Sequence, residues 1–508
     1  MKFWKNFLTF AVCIAFAFSF AFADIRAASA ANAPKIEWEY SYGGSGEDEI
    51  NSIRQTTDGG YVFAAASASP NDGDVRGNQG LSDYWVVKLD DKGLKMWAKS
   101  YGGTSSDYAL DIVQTTAGDY VVTGKTRSDI VFPPNASDYP RPNKGGEDAW
   151  MVRIDEYGEL VWTLTSPRGG SFDESLSSVV QSPGLFHWDY DDNDYLHFAL
   201  AGYSASSHDQ VGDNSGERDF WIIRLYDHHD HYHGHIWKTF GGSGDDEAKS
   251  IQNANGGGYI VGGTTFSNDG DVAGENHGGA DCWILKLDDD LNIINKRTIG
   301  GSENDYFSAI RATSDNGYIV AGYKELDHGD HSHINYWVVK LDADLEIEWE
   351  KDLVFGESLD EARDIRQTSD GGYIIAGVSE LHDDDDHDHD DGHEDGESDV
   401  LIVKLDPTGE VEWTMLLGGS LHDEANSIQQ TSDGGYIIGG TSRSSDGDVS
   451  KNNGSGDCWV VKLAQEEKTP VNVSDGSSGG CDSGSGSFLF LSAIGAAALI
   501  RRALFGNS

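Results

Sequence analysis

Basic residues are scarce in this chain of 508 residues: 36 Lys and Arg stand against 86 Asp and Glu, a formal net charge of −50. A surface that negative repels phosphate backbones, which argues against nucleic acid as a partner. Proline is rare as well, at 10 residues. Long apolar runs are missing. The stretches Phe7 to Phe22 and Phe488 to Ile500 are both short for a membrane-spanning helix. Enzyme signatures are missing too: there is no HExxH and no phosphate loop. Carboxylates are so plentiful that no pair stands out as a glycosidase dyad, and no catalytic residue is assigned.

What the chain does have is glycine, at 63 residues, and aromatics, with 14 Trp, 21 Tyr and 20 Phe. That mixture excludes disorder and points to many short strands joined by tight turns. The eight residues "DYWVVKLD" (83–90) return as "DAWMVRID" (148–155), "DFWIIRLY" (219–226), "DCWILKLD" (281–288), "NYWVVKLD" (335–342), "DVLIVKLD" (399–406) and "DCWVVKLA" (457–464), at spacings of 54 to 71. A glycine turn and an apolar strand precede each copy, as in "DGGYVFAAAS" and "GGGYIVGGTT". Earlier still lies a strand such as "NSIRQTT". A fourth segment carries Trp97, Trp162, Trp237, Trp349 and Trp413, with Asn295 in place of the Trp in unit four. Each unit therefore has four strands, a to d, and the period predicts an all-β, seven-bladed β-propeller. A β-solenoid would have shorter periods. The run "WVVKL" is apolar throughout because both of its faces are covered.

Strand c occurs seven times, and no strand d follows the last one. An orphan d-type segment, "KIEWEYSYGG" (35–44), precedes the first strand a. Pairing the orphan with the last strand c shuts the ring and removes two open edges. The landmarks "GGS…D", "DGGY" and "D-x-W-V-V-K-L-D" resemble the β-propeller repeats of secreted bacterial proteins, over about residues 36–464. The resemblance implies a propeller in an extracytoplasmic setting and no particular reaction.

The ends read as address and anchor. Lys2 and Lys5, the apolar run and small residues around Ala23, Ala30 and Ala33 make residues 1–33 a secretory signal. Residues 34–464 form the propeller, 465–486 a Ser/Gly linker containing Cys481, and 487–508 a hydrophobic segment closed by Arg501 and Arg502. This order of parts resembles the Synergistes-type C-terminal sorting signal. It implies processing near Cys481 and attachment at the cell surface or outer envelope, the other reading being a simple tail anchor. Cys282 and Cys458 lie in blades nearly opposite each other, too far apart for a disulfide, and read as buried thiols.

Several polar positions recur. An acid follows each d–a turn: Asp48, Asp107, Glu174, Asp246, Asp305, Asp360 and Asp423. These could form a ligand-binding ring at the channel face; the favoured reading is that each fixes its own turn. A second polar ring starts strand c: Asp83, Asp148, Asp219, Asp281, Asn335, Asp399 and Asp457. A basic residue stands five positions later in every copy, and one of these acids is its expected partner. "NDGDV" (71–75 and 268–272) and "SDGDV" (445–449) either hold calcium or are plain Asx turns, because the full calcium-loop pattern is missing.

Twelve of the 17 histidines sit in three inserts. His228, His229, His231, His233 and His235 expand the c–d connection of blade three. His328, His331 and His333, and then His382, His387, His389 and His393, lie in the b–c loops of blades five and six. Imidazole beside carboxylate suits Zn²⁺, so these loops either capture metal adaptably or are solvated low-complexity segments. Zn²⁺ and Ca²⁺ are the ions the chain could hold, and no cofactor is certain. The expected function is a non-enzymatic surface binding module, monomeric, that takes a protein or glycan on the b–c and d–a face. The alternative is an exported polysaccharide hydrolase or lyase. No blade alone breaks the polar pattern expected at the channel, which disfavours catalysis.

Overall fold

The computed structural model describes residues 33–129, 143, 146–165, 172–183, 195–206, 214, 216–228, 231–274, 276–327, 332–355, 359–380 and 398–467; the side chains of 165, 195, 227, 228, 231–235, 326, 327, 332 and 333 lie outside the description. Strands are the only regular elements among the described residues. The chain begins with β1 (Ile36–Tyr42). Blade one follows as β2 (Asp48–Gln55), β3 (Tyr61–Ser67), β4 (Asp83–Leu89) and β5 (Lys95–Tyr101). Blade two is β6 (Asp107–Gln114), β7 (Tyr120–Thr126), β8 (Asp148–Ile154) and β9 (Leu160–Thr165). Blade three is β10 (Glu174–Ser182), β11 (Tyr195–Ser204), β12 (Asp219–His228) and β13 (His231–Phe240). Blade four is β14 (Asp246–Asn253), β15 (Tyr259–Thr265), β16 (Asp281–Leu287) and β17 (Ile293–Ile299). Blade five is β18 (Asp305–Ala312), β19 (Tyr318–Asp327), β20 (Ser332–Leu341) and β21 (Ile347–Leu353). Blade six is β22 (Leu359–Gln367), β23 (Tyr373–Glu380), β24 (Ser398–Leu405) and β25 (Val411–Leu417). Blade seven is β26 (Asp423–Gln430), β27 (Tyr436–Ser442) and β28 (Asp457–Leu463).

The fold is the seven-bladed propeller that the repeats predict. β1 pairs antiparallel with β28, Trp38 opposite Lys462 and Tyr42 opposite Cys458, and supplies the missing outer strand of blade seven. The seven inner strands, β2, β6, β10, β14, β18, β22 and β26, touch one another in a closed circle around the axis.

The local chemistry explains each piece. In the a–b turn of blade one the Asp58 carboxylate accepts the Thr56 hydroxyl at 2.5 Å and the Gly60 amide at 3.0 Å, while Gly59 takes φ +87°. The same Thr–Asp–Gly device recurs at Asp315, Asp370 and Asp433. Strand c is buried along its whole length in blades one, two and seven. Its apolar side chains serve both neighbours. The seven core clusters therefore lie between blades, one at each interface: Trp85 and Phe63 of blade one pack with Ile437 and Val460 of blade seven, and Tyr84 and Val86 pack with Trp150 and Val152 of blade two.

The basic residue of strand c does not pair with the acids that begin that strand. Lys88 bridges Asp58 at 2.9 Å, Arg153 bridges Asp119 at 2.5 Å, and Lys340, Lys404 and Lys462 bridge Asp315, Asp370 and Asp433 at 2.8, 3.1 and 3.0 Å. Five residues along a strand span about 17 Å, which carries the cation to the opposite rim, where the a–b turn waits. In blades three and four, Arg224 and Lys286 donate instead to the carbonyls of Asp289 and Ala343.

The outer strands latch one blade to the next. The Trp38 ring lies over Gly93 in the c–d turn of blade one, and the Tyr42 hydroxyl donates to the Gly93 carbonyl. Trp97 and Tyr101 repeat this on Gly158, with Tyr101 donating at 2.6 Å. Blade four has no Trp here. Asn295 donates to Asp344 at 2.6 Å instead, and Leu345, buried at φ +66°, stands where the turns of blades one, two and six carry Gly93, Gly158 and Gly409. Gly59 and Gly93 both hold a positive φ, but a Cβ at Gly59 meets nothing within 4 Å, whereas at Gly93 it meets the Trp38 ring at 2.7 Å. Gly59→Ala is expected to cost about 1 kcal/mol from backbone strain alone. Gly93→Ala adds the displaced latch and is expected to cost about 2–4 kcal/mol. Urea unfolding midpoints compare them, and equal losses would mean the latch contributes nothing.

Candidate functional site: the turn face and the axis

The seven acids of the d–a turns stand at the start of the inner strands, on the face that also carries the b–c loops. Asp48 accepts the Ser67 hydroxyl, the Ser69 hydroxyl at 2.8 Å and the Gly44 amide at 2.8 Å. Asp107 repeats this with Thr126, Ser128 and Gly103, and Asp246 with Thr265, Ser267 and Gly242. Asp423 accepts from Ser444 and Gly419, Asp305 from Gly301, and Glu174 from Ser204. The backbone amide at this position ties the blade to the one before it: Asp48 N–H donates to Gly456 at 2.8 Å and Asp107 N–H to Ser82 at 2.6 Å. These side chains are buried, and none lines the axial cavity. Six of the seven acids are thus held by hydroxyls and amides of their own turns, as the favoured reading of the sequence has it, and do not wall the axis.

The acids that open strand c stand beside them. A Cβ on Gly102 would lie 2.4 Å from Asp83 Oδ1 and 2.6 Å from Asp107 Oδ2. The same pairing surrounds Gly43 (Asp457 and Asp48), Gly241 (Asp219 and Asp246) and Gly300 (Asp281 and Asp305). Only glycine leaves room for two carboxylates to approach one turn so closely. Burial pushes Asp83 up to about 7, aided by the Asp107 charge, and pushes Asp457 up to about 6, aided by Asp48. Glu174 rises to about 8, again chiefly through burial.

The "NDGDV" and "SDGDV" loops dock on the same turns. Asp72 accepts the Ser45 amide at 2.8 Å, Asp269 the Ser243 amide at 2.6 Å and Asp446 the Ser420 amide at 2.8 Å. Their carboxylates act as turn caps in all three blades. Among the described residues, no group of three His, Cys, Asp or Glu side chains stands close enough to hold a metal ion.

The histidine inserts of blades three and five continue their strand pairs. β12 and β13 pair out to His228 opposite His231, which places His233 and His235 on β13; β19 and β20 pair out to Asp327 opposite Ser332, with His333 opposite Leu326. His229, His328, His331, His382, His387, His389, His393 and Cys481 lie outside the described residues, as do residues 1–32 and 468–508. Cys282 and Cys458 are buried, free thiols.

The axis holds what the repeat pattern hid. Every inner strand carries a β-bulge at one place, as between Ile50 and Ser52 or between Ala362 and Asp364. The extra residue is Asn51, Leu110, Ser177, Lys249, Ser308, Arg363 or Asn426, and all seven line an axial cavity of about 130 Å³. A bulge re-aims a side chain out of the ladder, here toward the axis. The wall is not uniform. Blades one, five and six bring Arg54, Arg311 and Arg363, blade four Lys249, and blades two and six Asp111 and Asp364. The expectation that no blade breaks the channel pattern is therefore overturned, since the pattern was read from the turn acids, which do not line the channel. "NSIRQT", "SAIRAT" and "RDIRQT" place arginine at one register of three inner strands, a signal that acquires meaning once strand a is known to face the axis.

No family model matches the chain, and no curated protein resembles it in sequence. Solved structures are similar in fold. A polysaccharide lyase acting as an ulvan lyase has a TM-score of 0.47 at 8% identity, over 84% of this chain and 96% of that one. The Pan2 WD40 domain of Neurospora crassa has 0.39 at 7%, over 83% and 97%. The β-propeller domain of the trilobed protease from Pyrococcus furiosus has 0.37 at 8%, over 86% and 99%. At these identities the likeness concerns fold alone, and no activity passes from those proteins to this one.

The carboxylate pairs have a thermodynamic consequence. Asp83, Asp457 and Glu174 hold their protons more tightly folded than unfolded. Their stabilising effect is complete below pH about 4 and is lost as pH rises toward about 8. Asp58, Asp370 and Asp433 are lowered, with hydrogen bonds and a lysine outweighing partial burial, and Asp315 falls to about 2. Their contribution is lost as pH falls below about 4. The melting temperature is expected to peak near pH 5 and to fall toward pH 8 by several degrees; scanning calorimetry at constant ionic strength checks this, and a rise toward pH 8 would contradict it.

Proposed function

We propose that this propeller is a binding module without catalytic activity, exported and held outside the membrane by its C-terminal segment, and that it takes a protein or glycan on the turn-and-loop face. The observation that carries the reading is the state of that face. Its described carboxylates are engaged by their own turns, while the apolar side chains of Leu81, Phe172, Phe266 and Leu421 stand open to solvent there, between 46% and 71% exposed. Apolar side chains rimmed by polar loops suit recognition. Aromatic rings near the mouth add sugar-stacking surfaces: Tyr306 and Tyr323 stack with centroids 5.0 Å apart, and Lys125 lies over the Tyr108 ring. The leader and the Gly-Gly-Cys tail support the location, and the acidic surface suits a soluble domain outside the cell.

Binding of the full chain to a glycan array and to cell-envelope extract, with and without chelator, tests this. The double variant Leu81→Asp/Leu421→Asp is expected to lose about tenfold or more in affinity, as charges replace two apolar contacts. Release of new reducing or unsaturated ends from envelope polysaccharide by the unaltered chain would instead establish the hydrolase or lyase reading.

The histidine–aspartate inserts supply a second binding chemistry, adaptable capture of a divalent ion such as Zn²⁺ in two separate patches. The inserts of blades five and six share the b–c end, while that of blade three lies at the c–d end, the opposite end of a blade. Isothermal titration with Zn²⁺ is expected to show fewer ions bound after deletion of residues 382–395; an unchanged stoichiometry would count against the patch on blades five and six.

A further inference from the structure

The axial cavity concentrates positive charge in a chain whose net charge is −50. Arg54, Arg311 and Arg366 converge on two carboxylates. Arg54 bridges Asp111 at 2.9 Å, Arg311 bridges Asp364 at 2.5 Å, and Arg366 reaches Asp364 at 3.4 Å. Three cations against two anions leave one positive charge (3 − 2 = +1). Lys249 adds another, with no carboxylate within ion-pair distance among the described residues. Arg363 contributes no surplus, because Glu361 lies 2.7 Å from it and Glu424 4.0 Å.

The two aspartates cannot absorb the excess. Asp111 already takes Arg54, the Ser52 and Ser178 hydroxyls and the amides of Ile112 and Val179. Asp364 takes Arg311, Arg366 and the amides of Ile365 and Ile428. Even so, Arg311 Nε and Arg366 Nη2 are buried with no acceptor among the described residues. A buried guanidinium N–H without an acceptor is costly. Water would satisfy the hydrogen bond but not the charge. The electrostatics report the same excess: the Arg366 guanidinium is lowered to about 9, first by burial and then by repulsion from Arg311.

We propose that the axial cavity binds one small oxyanion, of phosphate or sulfate size, against the part of its wall that carries Arg54, Arg311 and Lys249, with the surplus charge of Arg366 behind it. A tetrahedral oxyanion offers acceptors in several directions at once, which suits donors converging from blades one, four and five, and guanidinium favours such oxygens. The cavity of about 130 Å³ admits such a group with its waters. The shared chemistry covers a free inorganic ion and an ester group on a sugar. The site is separate from the turn-and-loop face and stands whatever that face binds.

Equilibrium dialysis of the full chain against labelled phosphate and labelled sulfate, in chloride at fixed ionic strength, tests the site. One saturable equivalent per chain is expected, unaffected by exchange of chloride for another monovalent halide. Arg311→Gln is expected to weaken binding about tenfold, the usual weight of a hydrogen bond to a charged group. Because that change disturbs a buried ion pair, Ser308→Asp is the companion variant. It places a carboxylate on the cavity wall from a part-exposed position and is expected to abolish binding while the chain still melts cooperatively. Displacement of the label by a hexose sulfate would identify a sugar-borne anion as the ligand, and displacement by the inorganic ions alone would identify a free one. Absence of saturable uptake by the unaltered chain, or uptake by folded Ser308→Asp equal to that of the unaltered chain, would overturn the proposal.

Discussion

A strand that is apolar on both faces needs two partners, and everything else in this molecule answers that need. Burying Trp85, Val86 and Val87 on one blade requires a neighbour on each side, so the core is divided into seven interfaces and no blade has a core of its own. The hydrophobic effect alone would permit an open spiral. Closure comes from β1, which joins β28 and converts two exposed edges into one ladder.

Closing the ring sorts the charges by position. At the a–b rim each turn aspartate meets a lysine or arginine from strand c, or the cation finds a carbonyl, so opposite signs pair. At the d–a rim the strand-initial acids of adjacent blades meet each other across a glycine. Those acids stay buried because hydroxyls and amides solvate them and because some retain a proton. On the axis the order is different again, with arginines from distant blades converging. A single net charge of −50 thus conceals three electrostatic environments, each built by the same repeat.

The fold was legible because repetition multiplied weak signals. One "DGGY" is a turn, but seven copies spaced with "WVVKL" are blades, and the missing last strand d made the role of residues 35–44 readable by counting. The same repetition misled at Lys88. Its partner was sought among acids that recur with it, whereas the antiparallel pairing of the blade brings Asp58 to its end of the strand. The turn acids, which recur in every unit, were placed near the channel although read chiefly as fixing their own turns. The channel is walled instead by bulged residues that differ from blade to blade, and such differences look like noise in a comparison of repeats.

Composition and period, by themselves, determined an all-β ring of four-stranded blades with an N-terminal closing strand, because apolar patterning and turn chemistry act over neighbouring residues. Only the tertiary structure decided which strand faces the axis and which charges meet there. Arg54, Arg311 and Arg366 are hundreds of residues apart in part, and their encounter depends on blade order around a closed circle and on a bulge that turns each inner strand toward its centre.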